Sequence, residues 1–271
     1  AELFDDVLNS VLSIIKPILE NPAIPKTGQN VKFDALILKR HGIDVKGIQF
    51  DTLLAAHLLK PDSRSLKLDN LSMEKLNYGM VPIEDLIGKG RNQITMAEVE
   101  LDKCTFYAAE DADVALQLTY IYEKEMKEKG IDQFFYDVEL PLLPVLLEME
   151  FMGMFVDGEM LASMSEELGK KIESLVADIQ KEAGTEFNVN STQKLANILF
   201  DIKGLPEIKK RSTAENILQR LKSENPIPGL VLEYRKLNKL KNTYVDALPA
   251  LIHPETKRIH STFNQTIAST G

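Results

Sequence analysis

The chain has 271 residues, of which 44% are hydrophobic and 27% charged, and its formal net charge is −9. This length suits one large domain or two ordinary ones, and the composition is that of a globular protein. Cys104 is the only cysteine, which excludes an internal disulfide framework and fits a reducing cytoplasm. No apolar run could span a bilayer and no signal-peptide pattern is visible, so we expect a cytoplasmic location and no membrane contact.

The acidic balance argues at first against a nucleic-acid partner. Two observations weaken that argument. Metal-dependent nucleases need clustered carboxylates, so a negative net charge is compatible with such an enzyme. Basic residues also cluster locally, first at Lys209, Lys210 and Arg211 and then at Arg235, Lys236, Lys239 and Lys241.

Residues 1–135 mix predicted helices with short strands. An amphipathic helix is predicted from Leu3 to Lys16, and Pro17 should kink or end it. Asp51 is predicted to cap the N-terminus of a helix at 52–59, directly after a short strand at 47–50. The other predicted helices of this region cover 35–40, 65–76 and 98–129, the last ending at Gly130.

Residues 136–271 have a mainly helical pattern. The predicted helices cover 140–152, 158–183, 193–200, 213–222 and 230–248. A basic loop is predicted at 205–212. Polar and apolar residues alternate from Arg258 to Gln265, which predicts a strand.

Tyr107 and Asp111 lie four residues apart on a predicted helix and therefore share one face. A carboxylate there can hold a metal ion, while a phenol can orient or help to deprotonate an attacking water. Asp34, beside a polar loop and near a helix start, could reach the same cleft. This spacing alone is weak evidence, because an aspartate on a helix is more often simply solvated.

Four short segments make the signal specific. They are Gly28-Gln-Asn-Val-Lys-Phe-Asp34, Asp51-Thr-Leu-Leu-Ala55, Glu84-Asp-Leu-Ile-Gly-Lys-Gly90 and Tyr107-Ala-Ala-Glu-Asp-Ala-Asp113. In order and spacing they resemble the 3′–5′ proofreading exonuclease domain of family A DNA polymerases, the bacterial DNA polymerase I type. The resemblance covers residues 1 to about 135.

This resemblance implies a ribonuclease H-like exonuclease domain of the α/β (α+β) class. It implies that Asp34 and Asp111 are metal ligands for Mg²⁺ in a two-metal site, with Tyr107 beside the attacking water. Gln29, Asn30 and Phe33 would line the single-stranded 3′ end of DNA.

The first motif of that exonuclease family, Asp-x-Glu, would lie before residue 1. Asp137-Val-Glu139 and Asp157-Gly-Glu159 have the same pattern but follow the third motif, so we interpret them as solvated or capping carboxylates. The two-metal site is therefore expected to be incomplete, and the chain alone is expected to be inactive.

Segments of the second half resemble the start of the polymerase domain of the same family, its thumb region. They lie within 139–157, 187–200, 232–249 and 259–271. A thumb grips duplex DNA through its phosphates, without reading sequence, which suits cations and hydroxyls. The residues expected to contact the duplex are Lys210, Arg211, Ser212, Thr213, Arg235, Lys239, Lys241, Thr262 and Gln265. An ordinary solvated charged face is the alternative for each of them.

We therefore interpret the chain as an internal part of a DNA-directed DNA polymerase, with residues 1–135 from its exonuclease domain and 136–271 from its thumb region. The parent would be a monomer that uses deoxynucleoside triphosphates and primer–template DNA in replication and repair. Two alternatives stay open. One is a stand-alone 3′–5′ exonuclease, and the other is a non-catalytic DNA-binding remnant.

Overall fold

A computed structural model of the chain describes residues 2–63 and 65–267, most of which are helical. The chain forms two compact units. The first unit runs up to Gly153 and resumes at Ser261, and the second contains Met154–His260. The domain boundary predicted near residue 135 concerns family domains and stays a prediction.

The first unit contains eight helices and two strands among its described residues. The helices are α1 (Glu2–Leu19), α2 (Val31–Arg40), α3 (Thr52–Leu59), α4 (Leu68–Leu76), α5 (Ile83–Ile87), α6 (Leu101–Lys129), α7 (Asp132–Phe134) and α8 (Leu140–Met152), and the strands are β1 (Lys26–Gly28) and β2 (Ile48–Asp51). Short 3₁₀ turns at Gly90–Asn92 and Met96–Glu98 precede α6, and a π-helical turn at Phe135–Glu139 joins α7 to α8.

The two strands of this unit pair in parallel, with Thr27 opposite Phe50 and Gly28 opposite Asp51. The larger sheet expected of a ribonuclease H-like domain is not evident within 2–63 and 65–267, where only this pair and one short antiparallel pair form ladders. The α/β prediction is therefore confirmed only in a coarser form, as a mostly helical structure with a few short strands.

The core of the first unit is built around α6. Val114, Leu118, Tyr122 and Met126 recur every four residues, so they form one apolar stripe, and each is almost fully buried. The stripe packs in one cluster with residues of β2 and α3, including Phe50. This packing fixes the helix that bears Tyr107 and Asp111.

Asp51 joins two segments of this unit. Its side chain is buried and accepts hydrogen bonds from the backbone N–H groups of Leu53 and Leu54, which caps α3 as predicted. The same carboxylate also accepts from the N–H groups of Asn30 (3.3 Å) and Val31 (2.8 Å) at the start of α2. One side chain thus accepts hydrogen bonds from N–H groups that have no partner within their own helices, at the starts of both α2 and α3.

The segment after Ser261 returns to the first unit through a buried ion pair. Lys32 (7% exposed) donates to Glu150 Oε1 at 2.5 Å, and the same carboxylate oxygen accepts from the N–H of Phe263 at 2.7 Å. The Lys32 ammonium also donates to the carbonyl of Phe263. The backbone polar groups of Phe263 are therefore paired with side chains of α2 and α8.

Two predictions near this segment were wrong. The strand predicted from Arg258 to Gln265 ends at Ile259, because beyond it the backbone bonds to side chains instead of a neighbouring strand. Glu139, expected to be solvated or capping, is buried, and both its carbonyl and its carboxylate accept from the Gln265 amide.

The second unit is almost entirely helical. Its elements are β3 (Met154–Phe155), α9 (Gly158–Ala183), α10 (Thr192–Ala196), α11 (Glu215–Leu221), α12 (Pro226–Lys239) and β4 (Arg258–Ile259), with π-helical turns at Asn197–Ile202 and Leu240–Val245 and a 3₁₀ turn at Leu248–Leu251. The strands β3 and β4 pair antiparallel, and α9 and α12 share one apolar core that includes Ile179 and Val231.

Most predicted boundaries agree with the structure. The helices at 52–59, 140–152 and 158–183 have the predicted ends, and Asp157 caps α9 through the N–H of Met160. In contrast, α1 continues through Pro17 to Leu19. The helix predicted from Ala35 begins at Val31, so Asp34 lies inside its first turn. No described helix is both long enough and apolar enough to cross a membrane.

We expect Asp51→Ala to lower the free energy of unfolding by about 2–4 kcal/mol, because it removes two helix caps and leaves buried N–H groups unpaired. Asp157→Ala is the matched control, since Asp157 caps one helix at an exposed position and accepts a single bond. That control should cost about 1 kcal/mol. Urea unfolding followed by circular dichroism measures both. Equal losses in the two variants would contradict the joint role of Asp51.

Candidate active site

The three residues predicted to be catalytic meet in one cleft of the first unit. Asp34, Tyr107 and Asp111 all line a cavity of about 740 Å³. Gln29 and Asn30, predicted to contact a single strand, line the same cavity. Phe33 is 58% exposed and is not one of the residues lining the cleft.

The local structure explains how these side chains come together. Asp34 projects from the first turn of α2, directly after the β1–α2 loop that Asp51 holds. Tyr107 and Asp111 lie one turn apart on α6, on the stretch that precedes its buried stripe. Two helices from distant parts of the sequence thereby place two carboxylates and a phenol in one cavity.

The β1–α2 loop has an unusual backbone conformation. Asn30 has a φ of 60°, in the left-handed region that asparagine tolerates better than most residues. A Cβ atom added at Gly28 would lie 3.0 Å from a methyl group of Val31, so a side chain at position 28 would crowd the loop. The Gly-Gln-Asn sequence is therefore explained in part by the turn itself.

The side chain of Gln29 is bound within the fold. Its amide nitrogen donates to the carbonyl of Leu66 at 2.8 Å, and its amide oxygen accepts from the hydroxyl of Thr52 at 2.5 Å. Gln29 thus ties the β1–α2 loop to the segment before α4, whose next residues also line the cleft.

Several carboxylates line this cleft, and the pKa values of Asp34 and Asp111 are raised. Burial raises the pKa of Asp34, and the charge of Asp51 adds to that rise. Burial likewise raises the pKa of Asp111, with further contributions from the charges of Glu110 and Asp34. The charge of Asp34 thus contributes to the raised pKa of Asp111, and a bound cation would relieve that repulsion.

Tyr107 lies in the same negative field. Burial raises its pKa, and so do the charges of Asp111, Asp69, Glu110 and Glu84, in that order. The phenol is therefore protonated at neutral pH and can donate a hydrogen bond. Asp69 and Glu84 are not among the predicted site residues, although both line the cleft and Glu84 begins one of the four segments that resemble the exonuclease family.

Glu110 explains how one wall of the cleft is held. Its buried carboxylate accepts from the hydroxyl of Tyr78 at 2.7 Å and from the N–H of Val81 at 2.9 Å. Val81 lines the cleft, so α6 holds this part of the lining as well as presenting Tyr107 and Asp111.

The donors in the cleft are compatible with Mg²⁺. This ion prefers oxygen ligands and is often held by one or two carboxylates, with waters and substrate phosphates completing its shell. Asp34 and Asp111 could supply those two carboxylates. The described residues contain no group of three or more histidine, cysteine, aspartate or glutamate side chains arranged to hold a metal.

The residues predicted to contact duplex DNA in the second unit have mixed surroundings. Arg211 makes a bidentate ion pair with Asp201, with N–O distances of 2.6 and 2.7 Å. Arg235 donates to the carbonyl and the hydroxyl of Thr213. Burial lowers the pKa of Arg235. Lys241 is paired with Asp246 at 2.7 Å.

Other members of that predicted set are more accessible. Lys210 and Lys239 are exposed, and neither forms an ion pair with a described residue, while Ser212 is partly buried. Arg235 and Lys239 lie one turn apart on α12 and line one groove. Thr262, in the first unit, is exposed, and the amide of Gln265 is bound to Glu139.

Two family models match the chain. A model described as 3′–5′ exonuclease matches residues 1–127, and one described as DNA polymerase family A matches residues 158–271. The two matched ranges fall in the two parts of the chain that the sequence motifs distinguish. They confirm the resemblance stated from those motifs.

Individual relatives agree with the models. The chain is 36% identical to DNA polymerase I of Pseudomonas aeruginosa over 272 residues, and 39% identical to that of Chloroflexus aurantiacus over 273 residues. These alignments cover 97% and 96% of the chain but 30% and 29% of the relatives. The chain thus spans about 30% of the length of the curated relatives that it matches.

A solved structure shows the same similarity in three dimensions. It is described as the POL domain of Pol1 from M. smegmatis in complex with DNA primer-template and dNTP. The TM-score is 0.80 at 28% sequence identity, and the match covers 96% of this chain and 43% of that one. Sequence motifs, family models and structure agree, and the chain belongs to DNA polymerase family A, with a 3′–5′ exonuclease region followed by the start of the polymerase domain.

Proposed function

We propose that the chain acts as part of a longer DNA-directed DNA polymerase that removes mismatched 3′ ends and extends primers with deoxynucleoside triphosphates. The observation that supports this most is the meeting of Asp34, Tyr107 and Asp111 in one cleft. Their motifs match an exonuclease family whose chemistry needs those residue types.

In this proposal residues 1–135 belong to a ribonuclease H-like exonuclease domain, and 136–271 belong to the thumb region. The two parallel strands β1 and β2 would be part of a larger sheet in the longer protein. Further carboxylates from an Asp-x-Glu strand would then join Asp34 and Asp111.

The chemistry divides between the carboxylates and the phenol. Asp34 and Asp111 would hold Mg²⁺, which when bound stabilises the attacking and leaving oxygens of phosphodiester hydrolysis. Tyr107, protonated at neutral pH, would donate a hydrogen bond that orients the water or the scissile phosphate. It would not serve as the general base, because its pKa is raised.

The second unit would contact the backbone of duplex DNA. Lys210 and Lys239 are the cations of the predicted set that are exposed and form no ion pair with a described residue. Arg235 would act chiefly by holding Thr213, and Arg211 would first have to leave Asp201. We therefore assign phosphate contact primarily to the two lysines.

The first test uses the longer polymerase that we propose. Asp34→Ala or Asp111→Ala should reduce 3′–5′ degradation of a labelled single strand by at least a hundredfold, because each removes a metal ligand. Primer extension should stay within twofold. The matched control is Asp113→Ala, since Asp113 lies on the same helix but is exposed and bonded to Gln117. Unchanged degradation in the first two variants would contradict the metal-ligand assignment.

A second test measures, without any metal, how far the fold disfavours the ionised Asp34 carboxylate, whose pKa is raised mainly by burial and secondly by the charge of Asp51. A carboxyl whose pKa is raised by folding destabilises the fold when ionised, so Asp34→Asn should stabilise the chain at pH 7. Because Asp34 is exposed to solvent, which screens its charge, we expect only about 0.5 kcal/mol. The gain should decline as pH falls through the raised folded pKa, and vanish below the unfolded value of about 3.9.

Urea unfolding in the presence of a chelator measures this gain, and Asp113→Asn serves as the control. Asp113 is exposed on the same helix, so its substitution should change stability little at either pH. A destabilising effect of Asp34→Asn at pH 7 would show that the fold does not disfavour the ionised Asp34 carboxylate.

The third test concerns the thumb region. Binding of the chain to a blunt DNA duplex should weaken steeply with salt, and Lys239→Ala or Lys210→Ala should each reduce the slope of log K against log salt by about 0.9. Lys170→Ala is the control, because Lys170 is paired with Glu166 on the exposed face of α9. A flat salt response of the unaltered chain would rule out the phosphate contacts.

A further inference from the structure

Lys67 is the only cationic side chain among the described residues that line the cleft. Four carboxylates share that cavity with it, namely those of Asp34, Asp69, Glu84 and Asp111. A polyanionic strand entering such a cavity is repelled unless cations offset the carboxylates. Lys67 is the one side chain within the described lining that can do so.

The ammonium of Lys67 is available for a ligand. The residue is exposed, immediately before α4, and it forms no ion pair with any residue in the described ranges. Lys67 is also not among the charges that shift the pKa of Asp34, Asp111 or Tyr107.

The backbone beside Lys67 is held by a residue of the β1–α2 loop. Gln29 donates to the carbonyl of Leu66, the residue directly before Lys67, and is itself fixed by the hydroxyl of Thr52. The loop that precedes Asp34 and the segment that bears Lys67 are thus tied together. One amide side chain makes this link.

We propose that Lys67 binds a phosphate of the single-stranded substrate adjacent to the scissile phosphate, and that Gln29 positions it. This inference rests on the nuclease function proposed above. The carboxylate pair and its metal would take the scissile phosphate, while a lysine is a compact point charge suited to a neighbouring one. Gln29 then acts as a positioning residue through Leu66, and not as a direct contact of the strand.

The test is binding of a fluorescent oligothymidylate to the chain in Mg²⁺ buffer, followed by anisotropy at several salt concentrations. Lys67→Ala should weaken binding about tenfold. It should also reduce the salt slope by about 0.7, the value for one phosphate contact on a single strand. Lys67→Arg should keep most of the affinity, since it retains the charge.

Lys124→Ala is the matched control, because Lys124 is an exposed lysine near the other end of α6, outside the cleft lining. It should leave both affinity and slope unchanged. Equal losses in Lys67→Ala and Lys124→Ala, or no measurable binding by the unaltered chain, would overturn the role of Lys67. The nuclease proposal is judged separately, by the Asp34 and Asp111 variants of the longer polymerase.

A double-mutant comparison tests the role of Gln29. Gln29→Ala should weaken oligothymidylate binding in the chain that has Lys67, but should have little further effect in Lys67→Ala, because the two residues act through one contact. A purely structural role, or a direct contact of Gln29 with the strand, would instead lower the affinity equally in both backgrounds.

Discussion

The geometry of the cleft depends on the buried carboxylate of Asp51. Helix α2 bears Asp34, and its start is fixed relative to β2 and α3 because Asp51 accepts from N–H groups on both sides. Burial raises the pKa of this carboxyl, while the four donors favour its charged form. Hydrogen bonding therefore offsets part of the desolvation that disfavours a charge at a site 2% exposed.

The cleft itself opposes stability. Asp34 and Asp111 have raised pKa values, and Tyr107 lies in the field of several carboxylates. Such an arrangement is typical of functional sites, where the fold tolerates repulsion that a ligand relieves. The hydrogen bonds of Glu110 and Gln29 hold segments of the cleft lining in place, although neither side chain needs to touch a substrate.

Local patterns predicted local structure well. Asp51 as a helix cap and the ends of α3, α8 and α9 follow from capping residues, glycines and apolar periodicity. Tyr107 and Asp111 could be paired from helical spacing alone. The position of Asp34 near a helix start only suggested that it could reach the same cleft, and its role as a metal ligand came from the family resemblance.

What could not be predicted depends on contacts between distant residues. Helix α2 begins earlier than expected because Asp51 binds the N–H of Val31. The strand predicted through Gln265 stops because Lys32 and Glu150 take the backbone groups of Phe263. Lys67 and Asp69 lie in the cleft because of how the start of α4 packs, and neither belongs to the segments that resemble the exonuclease family. Glu84 belongs to one of those segments, but the resemblance assigns it no role.

The return of the segment after Ser261 to the first unit has a consequence for biosynthesis. The buried Lys32–Glu150 pair acquires its backbone partner only when Phe263 is available, and the whole second unit is made between Gly153 and that point. On the ribosome, residues up to Gly153 would emerge while the Lys32–Glu150 pair still lacks its hydrogen bonds to Phe263. The second unit, continuous in sequence, could meanwhile fold by itself. The earlier-synthesised unit would thus be the later one to reach its final structure.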